Sequence, residues 1–484
     1  MAVVRVRRSM GWQAASGLAF VAALGLPVAS LAQTLPEAVQ MALETNPGLA
    51  AQRVQLEATG ERRIQAAAIG RGTVSADASV GSQEVWSRGR TLTGTLTDET
   101  GTATTPAQAG ISASQPIWLG GRGAASMDEA DARVRQAEER YRAAAILVVR
   151  DVVIAYADLR RDVRALEIRR ANVATLTRQL EAATARFEVG EITRTDVAQV
   201  EARLAASRAN LSVAESRIGA SRAAIERLIG QQPSQLAPDI REAPLPATLD
   251  QAILMARSSN PDLLAARAGV DIARAGARVV EASTRPQASL QAFGGRSVNQ
   301  GFNDNTGGQV SVQARVTVPL YTAGANASRV REAEAAATAA RLGTEDAERQ
   351  VAERVGNGWR QLVAAREALA ATRQQVAAAR IAFEGAELEQ SVGLRTTLDV
   401  LIQQQELLEA ELSLASAERD VVVAGYQLAA AIGILTPEAV GLPASAVPAA
   451  NVPEAPEPLI IERPLIAAQR ALDRQTGAVV VGED

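Results

Sequence analysis

The side chains of this chain best placed to do chemistry are two carboxylates, Asp196 and Asp399, set in two related stretches. The first reads Val189-Gly190-Glu191-Ile192-Thr193-Arg194-Thr195-Asp196. The second, 203 positions later, reads Val392-Gly393-Leu394-Arg395-Thr396-Thr397-Leu398-Asp399. A glycine after a helical run is the expected left-handed helix stop. A threonine three places before an acid is a capping start for the next helix, and the helix dipole favours the negative charge there. Helix chemistry alone therefore accounts for both aspartates. Other resources are few, because the 484 residues include no cysteine, histidine or lysine, and all 50 basic residues are arginine. Zinc sites built from Cys or His, cysteine nucleophiles, histidine bases, disulfides, P-loops and lysine Schiff bases are excluded. Tyrosine, serine and paired carboxylates remain, but no local cluster sets a nucleophile beside a base. The expectation is no enzyme, no cofactor and no metal site.

The elements that carry the two aspartates belong to a repeat. Thr34-Leu35-Pro36-Glu37-Ala38, leading to Asn46-Pro47, returns as Thr248-Leu249-Asp250-Gln251-Ala252, leading to Asn260-Pro261, 214 positions later. From Pro116-Ile117-Trp118 and Pro319-Leu320-Tyr321 onward the offset is 203, and it holds for Tyr156 and Trp359, for Gly190 and Gly393, and for Ile229-Gly230 and Ile432-Gly433. The missing 11 residues fall between Gly72 and Pro116, so the first copy has the longer loop there. The chain divides into a leader (1–32), a first copy (33–230), a linker (231–247) with Pro233, Pro238, Pro244 and Pro246, a second copy (248–433) and a Pro- and Ala-rich tail (434–484). The start of the tail is expected to pack and its end to be disordered.

Within each copy, helix gives way to alternation and returns. Asn46-Pro47 opens a helix that runs to about Gly72. After Gly120-Gly121 the apolar positions Val148, Val152, Ala155, Leu159, Val163, Leu166, Val173, Leu176, Leu180, Ala183 and Phe187 step by threes and fours, with one skipped turn at Arg169 and Arg170. Their mean step is near the ~3.5 residues of a left-handed coil. A helix over 122–187 is about 100 Å long at ~1.5 Å per residue, a rod suited to a tube wall.

Four alternating segments lie between the helices, at about 73–84, 106–118, 287–297 and 308–321. In one, Val310, Val312, Ala314, Val316 and Val318 interleave with Gln309, Ser311, Gln313, Arg315 and Thr317. Val74, Ala76, Ala78 and Val80 alternate likewise, as do Ala107, Ala109, Ile111 and Ala113, and Ala288, Leu290 and Ala292. Segments of ~10 residues with one weakly apolar face suit outer-membrane strands. Trp86, Trp118 and Tyr321 sit near strand ends, where an aromatic girdle is placed. The N-terminus reads as a secretory signal: Arg5, Arg7 and Arg8, an apolar run from Ala14 to Ala29, then Ser30-Leu31-Ala32. No later stretch is apolar enough for a spanning helix. Removing the leader takes the formal charge from −4 to −7, which gives no footprint for nucleic acid. Four strands cannot close a transmembrane barrel, whose smallest form has ~8. Membrane strands would therefore require several chains in one barrel, with connections 87–103 and 300–308 at one end.

From Thr34 to about Gly433 the chain resembles the TolC family of outer-membrane channels. The markers are the two Leu-to-Asn-Pro openings, the paired Pro-Ile-Trp and Pro-Leu-Tyr strand exits and the paired Val-Gly turns before Asp196 and Asp399. The resemblance implies a mainly α fold with membrane β. In it, a homotrimer joins a 12-stranded outer-membrane β-barrel to a 12-helix periplasmic α-barrel, each chain giving four strands. It implies an exit duct for type I protein secretion or small-molecule efflux. The implied partners are a periplasmic adaptor protein and an inner-membrane transporter of ABC or RND type. By the same resemblance, Asp399 matches a ring at the periplasmic aperture, and Arg395, Thr195 and Asp196 match the links that hold it shut. Val189, Gly190, Val392, Gly393 and Leu394 match the tips that meet the adaptor. A ring of three carboxylates repels anions and concentrates cations. Two positions depart from the family pattern: Ile402 stands where a second ring Asp is expected, and Gln390 where a Tyr is expected. The rival reading is a periplasmic long-helix adaptor, which would lack the four membrane-type strands. The residues do not identify the cargo.

Overall fold

The computed structural model describes residues 34–87, 100–232, 240–299, 305–454, 457 and 463–475. The stretch expected to be a signal sequence, Pro233 and Pro238 of the linker, the middle of both strand connections and parts of the tail lie outside the described residues. The first half contains helices α1 (Leu35–Thr45) and α2 (Pro47–Ala68), strands β1 (Thr73–Val80), β2 (Gln83–Ser87), β3 (Thr100–Thr104) and β4 (Ala107–Trp118), and helices α3 (Arg122–Glu188) and α4 (Arg194–Ile229). The second half contains α5 (Leu249–Ser259), α6 (Pro261–Ala282), β5 (Gln287–Val298), β6 (Thr306–Thr317), α7 (Ala325–Ser391) and α8 (Thr397–Ile432), and the tail adds α9 (Arg463–Gln475). Corresponding helices have equal lengths: 11, 22, 67 and 36 residues in each half.

Local chemistry sets the corners. Asn46 ends α1 and starts α2, its Oδ1 accepting from the N–H groups of Gly48 and Leu49, with Pro47 in the first turn. Asn260 does the same between α5 and α6 and also donates Nδ2 to the Ala431 carbonyl at 2.8 Å. Gly433 ends α8 with φ +89°, and a Cβ there would lie 2.5 Å from the Ser259 carbonyl oxygen. The long helices then pack pairwise around a waist whose largest buried side chains include Tyr156, Tyr426, Leu159, Ile225 and Leu428. The Tyr426 hydroxyl donates to the Arg241 carbonyl at 2.8 Å, and burial pushes the phenol up to about 12. Arg419 of α8 binds Asp158 of α3 at 2.8 Å, tying the two halves together. Burial is uneven: α3 buries eighteen residues and its equal in length, α7, only six.

The strands form one antiparallel sheet in the order β1-β4-β5-β6, leaving β1 and β6 as open edges. Its register sets Val74 opposite Ala113, Ala76 opposite Ile111, and Ala292 opposite Val312, so the apolar residues share one face. That face is open to solvent, with Val310 86% and Val74 75% exposed. No described helix is long and apolar enough to cross a membrane.

The structure differs from the sequence expectation in three places. The first connection, expected as a loop from residue 87, begins and ends as a second ladder, β2 with β3, in which Val85 and Trp86 on one arm and Thr100, Thr102 and Thr104 on the other are strand-favouring residues. Trp118, expected in a girdle, instead donates Nε1 to Asp473 of α9 at 3.0 Å. The tail, read from the sequence without a helix, forms α9, along which Ile466, Gln469 and Asp473 recur at helical spacing on one face, while its last residues, expected to be disordered, lie outside the described residues.

Candidate functional site

The two long hairpins reverse at turns of the same construction. At the first, the Gly190 N–H donates to Phe187 O at 3.0 Å and Glu191 N–H to Arg186 O at 2.9 Å. At the second, Gly393 N–H donates to Gln390 O at 3.0 Å and Leu394 N–H to Glu389 O at 2.9 Å. These bonds satisfy the last helical carbonyls and require a left-handed residue, which Gly190 (φ +79°) and Gly393 (φ +76°) supply. The returning helices carry the capping box read from the sequence. Asp196 accepts from the Thr193 N–H (2.9 Å) and hydroxyl (2.8 Å), and Asp399 from the Thr396 N–H (3.1 Å) and hydroxyl (2.7 Å). The Thr396 hydroxyl first, then its N–H and the nearby Arg395 charge, hold the Asp399 carboxyl below the usual carboxylate range.

The tips present an apolar surface. Val189, Val392 and Leu394 are 75%, 65% and 77% exposed, and no atom lies near enough to crowd a Cβ on Gly190 or Gly393. Thr195 is exposed on the first turn of α4. Arg395 does not reach Thr195 or Asp196 within the chain; it binds Glu389 at the end of α7 instead. Gln390 donates Nε2 to Thr397 Oγ1 at 3.2 Å, bridging the second turn internally. Ile402 is half exposed one turn beyond Asp399.

What joins the hairpins is a set of residues the sequence did not single out. Leu401 of α8 is buried with Leu176, Ala183, Val200 and Leu204 of the first hairpin. Next to it, Gln404 Nε2 donates to Asn172 Oδ1 (2.8 Å), and Asn172 Nδ2 donates to Ser207 Oγ (2.9 Å). Leu401 is four residues into α8 while its partner Leu176 is twelve residues from the end of α3, so the second tip stands about two helical turns above the first. The coil spacing gave no signal for the link between Gln404 and Asn172: its skipped turn lies at Arg169 and Arg170, and Asn172 falls beside the apolar Val173. No described group of three or more acidic residues is placed to hold a metal.

The sequence model of the family described as "Outer membrane efflux protein" matches residues 38–231 and 252–434, one match in each half. Outer membrane efflux protein BepC of Brucella suis is 31% identical over 415 residues, 86% of this chain and 88% of the relative. Outer membrane protein TolC of Vibrio cholerae is 33% identical over 339 residues, 68% of this chain and 77% of the relative. Alkaline protease secretion protein AprF of Pseudomonas aeruginosa is 27% identical over 308 residues, 62% of this chain and 64% of the relative. Among solved structures, the outer-membrane channel OprN superposes with a TM-score of 0.68 at 23% identity, over 82% of this chain and 89% of that one. The CusC structure does so at 0.71 and 18%, over 82% and 92%. The exposed apolar sheet, the paired long hairpins and the two matched halves converge: this chain belongs to the outer membrane efflux protein family.

Proposed function

We propose that three copies of this outer-membrane efflux protein close a single exit duct, with twelve strands forming a barrel in the outer membrane and twelve long helices a periplasmic tunnel beneath it. The carrying observation is the four-stranded sheet, which exposes its apolar face and leaves β1 and β6 unpaired. Open edges are not tolerated in lipid, and four strands are too few to close alone. The thin burial of α7 fits a helix that receives a neighbouring protomer. Val189, Gly190, Val392, Gly393 and Leu394 are the contact for a periplasmic adaptor, which links the duct to an inner-membrane ABC or RND-type transporter. Three copies of Asp399 line the aperture, and Arg395, Thr195 and Asp196 make links between neighbours rather than within one chain. Both protein secretion and small-molecule efflux are open to such a duct, as the names of AprF and BepC indicate for those relatives.

The test is fractionation followed by reconstitution. The protein should leave with outer-membrane porins, cross-link as a trimer and conduct ions in planar bilayers. Recovery in the soluble periplasmic fraction, or a monomer without conductance, would overturn the reading.

A further inference from the structure

The polar face of the sheet contains one aromatic residue that breaks its pattern. The register places Phe293 opposite Ser112 on one side and Ser311 on the other, among Ser75, Gln291 and Gln313, and away from the valine face. The adjacent row across the sheet reads Asp77, Gly110, Gly295, Gln309. The Phe293 ring lies over the two central glycines. A Cβ on Gly110 would fall 2.8 Å from Cε2 of the ring, and one on Gly295 would fall 2.7 Å from Cζ. The ring is therefore seated against the backbone and turns its other face to open space, with Phe293 37% exposed. Asp77 pairs with Gly110, about 5 Å away from Cα to Cα across the ladder, and so places a carboxylate on the same face in the row next to the ring. Among the described residues of the four strands, the only arginine on this face is Arg315, two same-face rows from Phe293 and about 14 Å along the strand from Ser311. Arg296 lies in register with Ala109 and Gly308 on the apolar face.

We propose that Phe293 on its Gly110–Gly295 seat, with Asp77 beside it, is a binding site in the duct wall for organic cations that carry an aromatic ring. The inference rests on the duct reading above, which makes the polar face the bore. A flat ring with a carboxylate at its edge offers a stacking surface, a cation–π face and a counter-charge together. The serine and glutamine side chains around it are neutral and place no competing charge against the ligand. The competing explanation is that the ring only shields two glycines in a strand. The two differ in what Phe293→Leu does, because leucine still covers the glycines but has no π face.

The experiment measures ion current through the reconstituted protein as ethidium or tetraethylammonium is added. Ethidium should block the unaltered duct at a concentration about tenfold below tetraethylammonium, since both carry one charge and only ethidium can also stack. Phe293→Leu should raise the ethidium half-blocking concentration about fivefold or more, since stacking and the cation–π contact are both lost, and raise that of tetraethylammonium by a smaller factor, since it loses the cation–π contact alone. Phe293→Tyr should keep the block, and Asp77→Asn should weaken both cations. Equal ethidium block in the unaltered protein and Phe293→Leu would overturn the site while leaving the duct intact. Absence of any current from the unaltered protein would instead overturn the duct, and the site with it.

Discussion

Gln404 on α8 donates its side-chain amide to Asn172 on α3 at 2.8 Å, joining two hairpins through residues 232 positions apart. Asn172 passes the connection to Ser207 on α4, so one half-buried amide, between the buried Gln404 and Ser207, links three long helices. The link is neutral and internal to the chain. It holds the second hairpin where the charged residues of the tips, Arg395 and Asp399, do not.

Gln404→Leu should loosen this end of the molecule. It leaves the Asn172 carbonyl oxygen without its partner, at a cost of about 1–3 kcal/mol. Amide hydrogen exchange over the first turns of α8 should accelerate while the waist around Tyr156 and Tyr426 stays protected. Exchange unchanged from the parent protein would refute a holding role for the bond.

Arg395→Ser combined with Asp399→Ala should raise single-channel conductance. The pair removes the Arg395–Glu389 bond and the Asp399 cap together, and it removes three carboxylates from the proposed aperture. Conductance equal to that of the parent, measured on an intact trimer, would exclude a gating role.

The glycines should separate sharply. Gly433→Ala forces a side chain into left-handed backbone and against Ser259 and Asn260, whose atoms lie within 2.9 Å of the new Cβ. A loss of about 3 kcal/mol or more, seen as failure to accumulate trimer, is expected from strain and backbone overlap together. Gly393→Asn meets open space and an αL conformation that asparagine tolerates. It should cost less than about 1 kcal/mol and be seen in binding of the adaptor rather than in assembly.

Docking of α9 should weaken as pH rises. Burial pushes the Asp473 carboxyl up, against the opposing effects of the Trp118 hydrogen bond and Arg285. A carboxyl raised in the folded state favours folding in its neutral form. Its contribution is therefore greatest below the unfolded value near 3.9, falls as pH climbs through the raised value and stays at its minimum above it. Limited proteolysis within α9 should speed up from about pH 4 toward neutrality. Asp473→Asn keeps an acceptor for Trp118 and should remove the pH dependence; an unaltered pH profile in that variant would assign it elsewhere.

Much of the architecture was legible because it is written in short-range periods. Three-and-four spacing marks the helices, alternation marks the strands, and Asn-Pro, Gly-Gly and Val-Gly mark the corners. Each depends on residues a few positions apart, whose backbone preferences act without distant partners. The constant 203-residue offset anticipated the equal 67- and 36-residue helices, since equal spacing between equal corners permits nothing else. The Thr193–Asp196 and Thr396–Asp399 caps were readable for the same reason.

Tertiary structure decided the pairings. Within the chain Arg395 meets Glu389, because a helix end and its own turn curl back on each other, a geometry that residue matching does not carry. The stagger that brings Leu401 to Leu176 and Gln404 to Asn172 is set by how two coils slide while packing, and many offsets satisfy the same apolar spacing. In β5, Phe293 sits on the polar side and Arg296 on the apolar side, so residue type alone misplaces both, although the period of two from Ala288, Leu290 and Ala292 already runs through 296 and skips 293. Pairing with Ser112, Ser311, Ala109 and Gly308 fixes their faces, because a one-residue slip would exchange every side chain between the polar and the apolar face. The docking of α9 beside Trp118 likewise waits on a contact 355 positions away. Sequence determined the elements through local backbone energetics, and packing between distant elements determined what each functional side chain meets.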